Sequence, residues 1–254
     1  TGKTPLSIKI FTILKDLNKK PVFIRKKYNN FQDEVNLQKR FGKVYESSKR
    51  IIAIKNAIKD SFDVGILDDG FQDPSVKKDL SIICFNEKQW IGNGLTIPSG
   101  PLREGISSIK KADLVFINGK KNIEIESKIL DKNEKIKIFY FKYNFENINE
   151  FDNKNILAFA GIGNPSNFFD LLKENNLNII ETNTFPDHYN YKPKELDSLI
   201  NKAKSNKAIL LTTEKDYLRI SDNYKKSINY IKIETEIENQ NKFVQIIKKI
   251  IWNL

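Results

Sequence analysis

The chain has 254 residues, which is enough for one large or two modest domains with hydrophobic cores. Its hydrophobic content of 39% and mean hydropathy of −0.48 predict a water-soluble fold, and no run of residues has the length and hydropathy of a membrane-spanning helix. The net charge of +11 comes mostly from lysine, with 38 lysines against five arginines, so we expect anionic ligands or an anionic membrane surface as partners and no nucleic acid.

The first four residues, Thr1-Gly2-Lys3-Thr4, match the closing half of the phosphate-binding loop G-x-x-x-x-G-K-[S/T]. In such a loop the lysine contacts the nucleotide phosphates and the final hydroxyl binds Mg²⁺. A helix is predicted directly after it, because Pro5 suits a first turn and apolar residues recur at helical spacing through Leu17. A chance tripeptide is the alternative. Since the chain contains no methionine, we expect the rest of the loop and its strand upstream.

Helices and strands alternate through the first half of the chain. In order, the predictions are a helix through residue 17, a strand at 21–24, helices at 35–41 and 49–59, strands at 63–67 and 80–85, a short helix at 106–111 and a strand at 114–117. This order predicts an α/β fold with a mainly parallel sheet. Asp33 and Glu34 precede the second helix, where acids usually complement the helix dipole. Cys84 lies in an apolar strand and is predicted to be a buried core thiol.

Two acids, Asp68 and Asp69, follow the apolar strand at 63–67. Carboxylates at the C-terminal end of a strand beside a phosphate loop can hold Mg²⁺ or its water ligands, so the segment is typical of a Walker-B motif. A strand followed by an ordinary Asp-Gly turn is the alternative.

Residues 90–104 are rich in glycine and proline and too irregular for regular structure, which favours a functional loop. Arg103 and Glu104 end this loop. They are candidates for the functional site, and a plain surface ion pair is the alternative.

The composition changes at 118–137, which is polar and rich in lysine, and an alternating pattern at 136–142 predicts a strand. Residues 145–154 are a predicted linker. We therefore predict a first domain at 1–145 and a smaller α/β domain at 146–254, with the terminal helix packing back on the first. The predicted elements of the second domain are strands at 156–160, 179–185, 208–211 and 229–233, and helices after residue 165, at 193–205 and at 243–252.

Polar features follow three strands of the second domain. For Gly161-Ile162-Gly163, a tight strand-to-helix turn is the preferred interpretation over a nucleotide motif. His188, the only histidine, follows Asp187 in a loop just past a strand, where a functional and a structural role both remain open. Residues 212–216 form a polar cluster at the C-terminal end of a strand, where ligand sites of α/β domains lie.

Seven motifs occur in one order along the chain: T-G-K-T-P, D-E, L-D-D-G-x-Q, G-N-G-x-x-x-P-x-G-P-L-R-E, F-A-G-I-G-N-P, F-x-D-H and T-E-K-D. Together they resemble the tetraacyldisaccharide 4′-kinase family, the lipid A 4′-kinases of Gram-negative bacteria, over essentially the whole chain. The resemblance implies a P-loop NTPase-like domain with a mainly parallel sheet and helices on both faces, and a smaller C-terminal α/β domain. It implies transfer of the γ-phosphate of ATP to the 4′-hydroxyl of a tetraacylated glucosamine disaccharide 1-phosphate. A P-loop phosphotransferase or ligase with a soluble substrate is the alternative.

The resemblance also implies roles for individual residues. The residues expected to bind ATP are Thr1, Gly2, Lys3, Thr4 and Gln72. Those expected to bind Mg²⁺ are Thr4, Asp68, Asp69 and Glu104. The expected catalytic residues are Asp33 as the base, His188 as its supporting partner, and Lys3 and Arg103 near the phosphates. The substrate is a lipid A precursor, and the protein is expected at the cytoplasmic face of the inner membrane as a peripheral protein. The chain departs from the family at 25–29, where R-K-K-Y-N stands in place of S-R-G-Y-G.

Overall fold

The computed structural model describes residues 2–27 and 32–252. Contacts divide the chain into two compact units, one comprising residues 1–27, 42–144 and 235–254 and the other residues 28–41 and 145–234. The predicted domains at 1–145 and 146–254 stay a prediction. Within the two described ranges, no helix combines the length and the apolar character needed to cross a membrane.

The elements alternate along the chain. The helices are α1 (Lys3–Asp16), α2 (Gln32–Lys39), α3 (Arg50–Lys59), α4 (Ile123–Leu130), α5 (Pro165–Glu174), α6 (Pro193–Ser205), α7 (Glu214–Tyr217), α8 (Asp222–Lys225) and α9 (Gln240–Trp252). The strands are β1 (Pro21–Lys26), β2 (Val44–Ser47), β3 (Val64–Leu67), β4 (Ile82–Asn86), β5 (Leu114–Asn118), β6 (Lys137–Phe145), β7 (Asn155–Ala160), β8 (Ile179–Thr184), β9 (Ala208–Thr213), β10 (Asn229–Ile231) and β11 (Ile233–Ile237). Short 3₁₀ helices occur at Ile106–Lys111 and Ile148–Phe151.

Two sheets form the first unit. One has the order β2-β1-β3, and β1 is parallel to both neighbours, with Ile24 opposite Tyr45 on one side and Leu67 on the other. The second has the order β11-β6-β5-β4, in which β4, β5 and β6 are parallel. The run Leu114–Asn118 is apolar and buried up to its last residue, as expected for a parallel strand covered on both faces.

Helices α1 and α9 pack into one hydrophobic core of the first unit. Leu6 and Leu14 of α1 and Phe243 and Ile247 of α9 are buried there against Phe116 of β5. Spacings of four and eight residues place each pair on one face of its helix. The last helix of the chain therefore belongs to the first unit.

Strands β3 and β4 stand at the ends of their sheet orders, and both line a cavity of about 760 Å³ in the first unit. Apolar residues of α1 and α9, including Ile10 and Ile250, complete its wall. Cys84 lies on β4 and faces this cavity, so it is only partly buried. The predicted buried core thiol does pack against the first hydrophobic core, but it is only partly buried, because β4 is the last strand of its sheet.

The second unit contains a parallel sheet of order β10-β9-β7-β8. Side chains of β7 alternate between its two faces. Ile156 and Ala158 pack in a core with Phe168 of α5, whereas Leu157 and Phe159 lie in a separate core with residues of α6. Both faces of β7 are covered, which explains its uninterrupted apolar sequence.

Helix α2 belongs to the second unit, although β1 and β2 on either side of it in the chain belong to the first. It begins at Gln32 and not at residue 35, so Asp33 and Glu34 form part of its first turn. In the second unit α2 contacts the short helix α7. The chain thus contributes a single N-terminal helix to an otherwise C-terminal unit.

The predicted α/β class with mainly parallel sheets is confirmed. Several elements were missed. They are β2, α4, α7 and α8, and the strand predicted at 229–233 is two strands, Asn229–Ile231 and Ile233–Ile237. Helix α4 lies inside the segment that appeared only polar. Its signals were an Asn122 N-cap and two buried isoleucines four residues apart, Ile125 and Ile129.

Candidate active-site residues

Helix α1 begins beside the C-terminal end of β3 in the first unit. Gly2 is the N-cap of α1 and has a φ of 86°, a left-handed conformation that glycine adopts without a steric penalty. Lys3 Nζ donates a hydrogen bond to Asp69 Oδ1 at 2.7 Å, and Thr4 Oγ1 donates to Asp68 Oδ2 at 3.1 Å. The structure therefore brings the end of the predicted phosphate loop together with the two predicted Walker-B acids.

Asp69 lies between two cations. Its Oδ2 accepts a hydrogen bond from Arg103 Nη1 at 2.5 Å, while its Oδ1 is bonded to Lys3. Burial raises the pKa of Asp69, but the hydrogen bonds and charges of Arg103 and Lys3 outweigh burial and lower this pKa from 3.8 to about 2. Asp69 also has a φ of 56°, a sparsely populated conformation that aspartate tolerates better than most residues. The carboxylate is ionised at neutral pH.

Two buried arginines, which the sequence did not mark as site residues, hold this strand end. Arg25 Nη1 donates to Asp68 Oδ2 at 2.9 Å, with 6% and 3% of the two side chains exposed. Arg50 Nη2 donates to the carbonyl of Asp69 at 2.7 Å, and its Nη1 donates to Asp73 Oδ2 at 2.9 Å. Arg25 thus orients the Asp68 side chain, and Arg50 fixes the backbone that follows.

Three further residues were predicted to bind ATP or Mg²⁺, and the structure describes two of them. Gln72 and Glu104 line the same cavity as Lys3, Asp69 and Arg103. Glu104 also forms an ion pair with Lys111, whose Nζ lies 3.6 Å from Glu104 Oε2. Thr1 lies outside the described residues.

The oxygen atoms at this strand end fit a magnesium ion. Mg²⁺ prefers oxygen ligands at 2.0–2.1 Å in octahedral geometry, which puts adjacent ligands about 3 Å apart. Thr4 Oγ1 and Asp68 Oδ2 are 3.1 Å apart. Within residues 2–27 and 32–252, no group of three or more His, Cys, Asp or Glu side chains is placed to hold a metal ion by itself. The described side chains therefore supply oxygen donors at this strand end but no complete set of metal ligands.

A second set of candidates lies in the second unit, around Asp33. His188 Nδ1 is 3.2 Å from Asp33 Oδ1, and only 1% of the Asp33 side chain is exposed. His188 has a φ of 57°, and its backbone N–H donates to the carbonyl of Gly161 at 3.1 Å. The structure therefore brings Asp33 and His188 into contact across 155 residues of sequence.

The other carboxylate oxygen of Asp33 faces two cations. Lys215 Nζ is 3.4 Å from Asp33 Oδ2, and Arg219 Nη1 is 4.0 Å from the same atom. Asp33 Oδ2 is buried and accepts no hydrogen bond. Glu34, the next residue on α2, contacts Lys215 at 3.3 Å. Asp33 thus has one oxygen bound to His188 and one that lies within an electropositive environment.

Asp216, the last residue of the T-E-K-D motif, organises the surrounding backbone. It is fully buried and accepts hydrogen bonds from the backbone N–H of Gly161 at 3.1 Å, from Tyr191 Oη at 2.7 Å and from Thr213 Oγ1 at 2.6 Å. It also forms an ion pair with Arg219. Gly161, interpreted from sequence as a turn residue, is therefore tied to the Asp33 surroundings through Asp216, Arg219 and His188.

Comparison with known proteins decides the family. Residues 1–251 match the family model "LpxK: Tetraacyldisaccharide-1-P 4′-kinase". The chain belongs to this family. A tetraacyldisaccharide 4′-kinase of Pelagibacter ubique (strain HTCC1062) is 44% identical over 256 residues, which is 98% of this chain and 82% of that protein. One of Rickettsia bellii (strain OSU 85-389) is 33% identical over 269 residues, again 98% of this chain and 82% of that protein.

A solved structure supports the fold independently. The crystal structure of the "apo" form of LpxK from Aquifex aeolicus in complex with ATP matches with a TM-score of 0.71 and 22% sequence identity, covering 99% of this chain and 84% of that one. The resemblance to the tetraacyldisaccharide 4′-kinases drawn from the motifs is confirmed, and so is the assignment of the chain as a kinase of lipid A biosynthesis. The roles of individual residues stay predictions.

Proposed function

We propose that the chain transfers the γ-phosphate of ATP to the 4′-hydroxyl of a tetraacylated glucosamine disaccharide 1-phosphate, with Asp33 as the catalytic base. One observation carries the role of Asp33. Its buried carboxylate contacts His188 through one oxygen, while the other oxygen accepts no hydrogen bond. Membership in the LpxK family supports the reaction, because relatives at 44% and 33% identity carry the name tetraacyldisaccharide 4′-kinase.

In the proposed reaction, the substrate hydroxyl donates a hydrogen bond to Asp33 Oδ2. The hydroxyl oxygen forms a bond to the γ-phosphorus, its proton passes to Asp33, and the bond from the γ-phosphorus to the β–γ bridging oxygen breaks to release ADP. His188 contacts Oδ1, so we assign the proton to Oδ2, which accepts no hydrogen bond in the protein. Such general-base help is typically worth about 10²–10⁴-fold in rate.

The nucleotide is held by the residues at the start of α1. The Aquifex aeolicus protein was crystallised in complex with ATP, which supports ATP binding by this chain. We propose that the nucleotide contacts Gly2, Lys3, Thr4 and Gln72, together with Thr1, which lies outside the described residues. The N-terminus of α1 favours an anion because its free N–H groups carry partial positive charge. Lys3 and Arg103, which both pair with Asp69, are the cations proposed to contact phosphate oxygens.

Mg²⁺ completes this proposed site. Thr4, Asp68, Asp69 and Glu104 offer hydroxyl and carboxylate oxygens, which are the ligands that magnesium prefers. When bound, the ion neutralises negative charge on the phosphates. Arg25 holds the Asp68 carboxylate in a fixed orientation for that purpose.

We also propose that the protein acts as a peripheral protein at the cytoplasmic face of the inner membrane of a Gram-negative bacterium. The proposed substrate carries four acyl chains, which places it in a membrane. The net charge of +11 favours contact with an anionic lipid surface.

The test is the Asp33→Asn variant of the full chain, assayed with ATP and a tetraacyldisaccharide 1-phosphate in detergent. We expect kcat to fall about 10²–10⁴-fold, with ATP affinity unchanged by isothermal titration calorimetry. Asp152→Asn, which changes an exposed aspartate of the same unit, is the matched control. A wild-type kcat in Asp33→Asn would show that Asp33 is not the catalytic base. Turnover only on a soluble acceptor would favour the alternative phosphotransferase.

A further inference from the structure

Arg219 is a partly buried arginine that the proposed reaction does not use. Only 11% of its side chain is exposed, and its Nε and Nη1 atoms are buried without hydrogen-bond partners. Its Nη2 donates to the carbonyl of Gly161 at 2.7 Å and pairs with Asp216. The guanidinium is thus anchored through Nη2. Its Nη1, which makes no hydrogen bond, lies 4.0 Å from Asp33 Oδ2.

The distance of 4.0 Å is the informative feature. An arginine and a carboxylate that form a structural ion pair approach to about 2.7–2.9 Å, because charge-assisted hydrogen bonds are short. Here the anchors on Gly161 and Asp216 hold Arg219 about 1 Å beyond that range. Two opposite charges are buried close together, yet a donor of one and an acceptor of the other remain without hydrogen bonds. Leaving such buried groups unpaired costs stability.

The same arrangement is useful for a base. Burial disfavours the charged form of a carboxylate, whereas a cation within about 4–6 Å favours it. A cation at hydrogen-bond distance would occupy the lone pair that has to accept the substrate proton. A cation slightly farther away favours the charged carboxylate and leaves that lone pair free.

We propose that Arg219 is a positioning residue for the phosphoryl transfer: anchored by Asp216 and Gly161, it places a positive charge beside Asp33 and orients this carboxylate without forming a hydrogen bond to Asp33 Oδ2, the oxygen proposed to meet the substrate hydroxyl. The inference rests on the proposed role of Asp33 as the base. Lys215, at 3.4 Å from the same oxygen, adds a second positive charge. The T-E-K-D motif and the arginine three residues after it thus act through Asp33, while Arg219 itself touches no reacting atom.

The test has to avoid leaving Asp216 as a lone buried charge, because removing one partner of a buried pair is strongly destabilising. We therefore combine Arg219→Gln with Asp216→Asn, which removes both charges and keeps polar side chains that can still form hydrogen bonds. Folding is checked by thermal melting and circular dichroism. Lys202→Gln, which removes a positive charge from a surface ion pair with Glu181 in the same unit, is the control.

We expect the paired variant to lose about 10- to 100-fold in kcat, since a base misplaced by about 1 Å costs up to about 10²-fold. The KM for ATP stays unchanged, and the control keeps wild-type kcat. In the Asp33→Asn background the same pair of substitutions causes no further loss, because Arg219 acts only through Asp33. A variant combining Arg219→Ala with Asp216→Asn regains part of its kcat when guanidinium is added at millimolar concentration, whereas equimolar urea has no effect.

Two results would overturn the proposal: wild-type kcat in the folded paired variant, or an additive loss in the Asp33→Asn background. If Asp33→Asn itself has wild-type kcat, the proposed base fails, and with it the inference. If Asp33→Asn is inactive while the paired variant is fully active, the inference alone fails. Arg219→Lys keeps Asp216 paired and is measured where the paired variant does not fold. We expect Arg219→Lys to lose less kcat than the paired variant, and this loss must also vanish in the Asp33→Asn background. An additive loss there would reject the proposal.

Discussion

Arg25 and Asp68 form a buried ion pair, in which Arg25 Nη1 lies 2.9 Å from Asp68 Oδ2 and no more than 6% of either side chain is exposed. The same Asp68 oxygen accepts a hydrogen bond from Thr4. The pair therefore links the middle strand β1 to the acids at the end of β3. Burial of both charges makes the pair sensitive to the loss of either partner.

We predict that Arg25→Met destabilises the protein by about 3–5 kcal/mol, the usual result of leaving one charge of a buried pair uncompensated. Urea unfolding followed by circular dichroism measures the change. The matched control is Lys142→Met, which breaks a largely exposed pair with Glu236 and should cost no more than about 1 kcal/mol. Equal losses in the two variants would contradict the role given to burial.

The second prediction concerns acid stability. The pKa of Asp69 is lowered to about 2 in the folded protein, whereas its ordinary value is 3.8. A lowered folded-state pKa contributes stability that is present above the unfolded value and is lost as the pH falls through the folded one. The contribution of Asp69 should therefore be complete above about pH 4 and disappear toward about pH 2.

Thermal melting of the wild type and of Asp69→Asn across this pH range tests the prediction. The wild type should melt higher than the variant above about pH 4, because only the carboxylate pairs with Lys3 and Arg103. The difference should shrink as the pH falls toward about 2. A difference that stays constant between about pH 5 and pH 2 would show that Asp69 is not the group responsible.

Much of the architecture could be predicted from the sequence because it depends on local patterns. Helical spacing predicted α1 and α9, and apolar runs predicted β5 and β7, since each pattern repeats within a few residues. The position of Asp68 and Asp69 after a strand indicated an acidic strand end. Strand β2 was missed because its four residues are all partly buried and show no alternation.

The pairings of the candidate sites could not be predicted by local reasoning. Arg25 appeared as part of a basic run, although it contacts Asp68, which lies 43 positions away. Arg219 lies far from Asp33 in the chain, and no local sequence pattern marks it. The one available signal was the scarcity of arginine, because four of the five arginines, 25, 50, 103 and 219, contact a candidate aspartate or the backbone beside it.

Helix α2 shows the same limit at the level of a whole element. Its acids at the helix start appeared to complement the dipole, and nothing in residues 32–39 indicates that they belong with the second unit. Arg40, directly after the helix, pairs with Glu214 and donates to Tyr230 Oη at 3.2 Å. Such contacts form between segments that are distant in the chain, so only a family resemblance could connect Asp33 with His188 before the structure.

The third prediction uses Gly161, whose backbone connects Asp216, Arg219 and His188. A Cβ atom at this position would lie 2.8 Å from Tyr191 Oη and 3.0 Å from the carbonyl oxygen of Pro186, both closer than real contacts allow without a shift. The Gly161 carbonyl also accepts hydrogen bonds from His188 N and Arg219 Nη2. A side chain would therefore move the groups that hold the two partners of Asp33.

Gly161→Ala should lower kcat about 10-fold or more, since displacements of about 1 Å in a catalytic arrangement have effects of this size, while ATP affinity is kept. Steady-state kinetics and calorimetry separate the two effects. Gly163→Ala is the control two residues away, because its Cβ would approach only the half-exposed Asp187 carboxylate, at 3.0 Å from Oδ2, and not the backbone that carries the Gly161 carbonyl. An equal loss of kcat in Gly163→Ala would show that the whole loop is sensitive, and that the Gly161 carbonyl has no special part in holding His188 and Arg219.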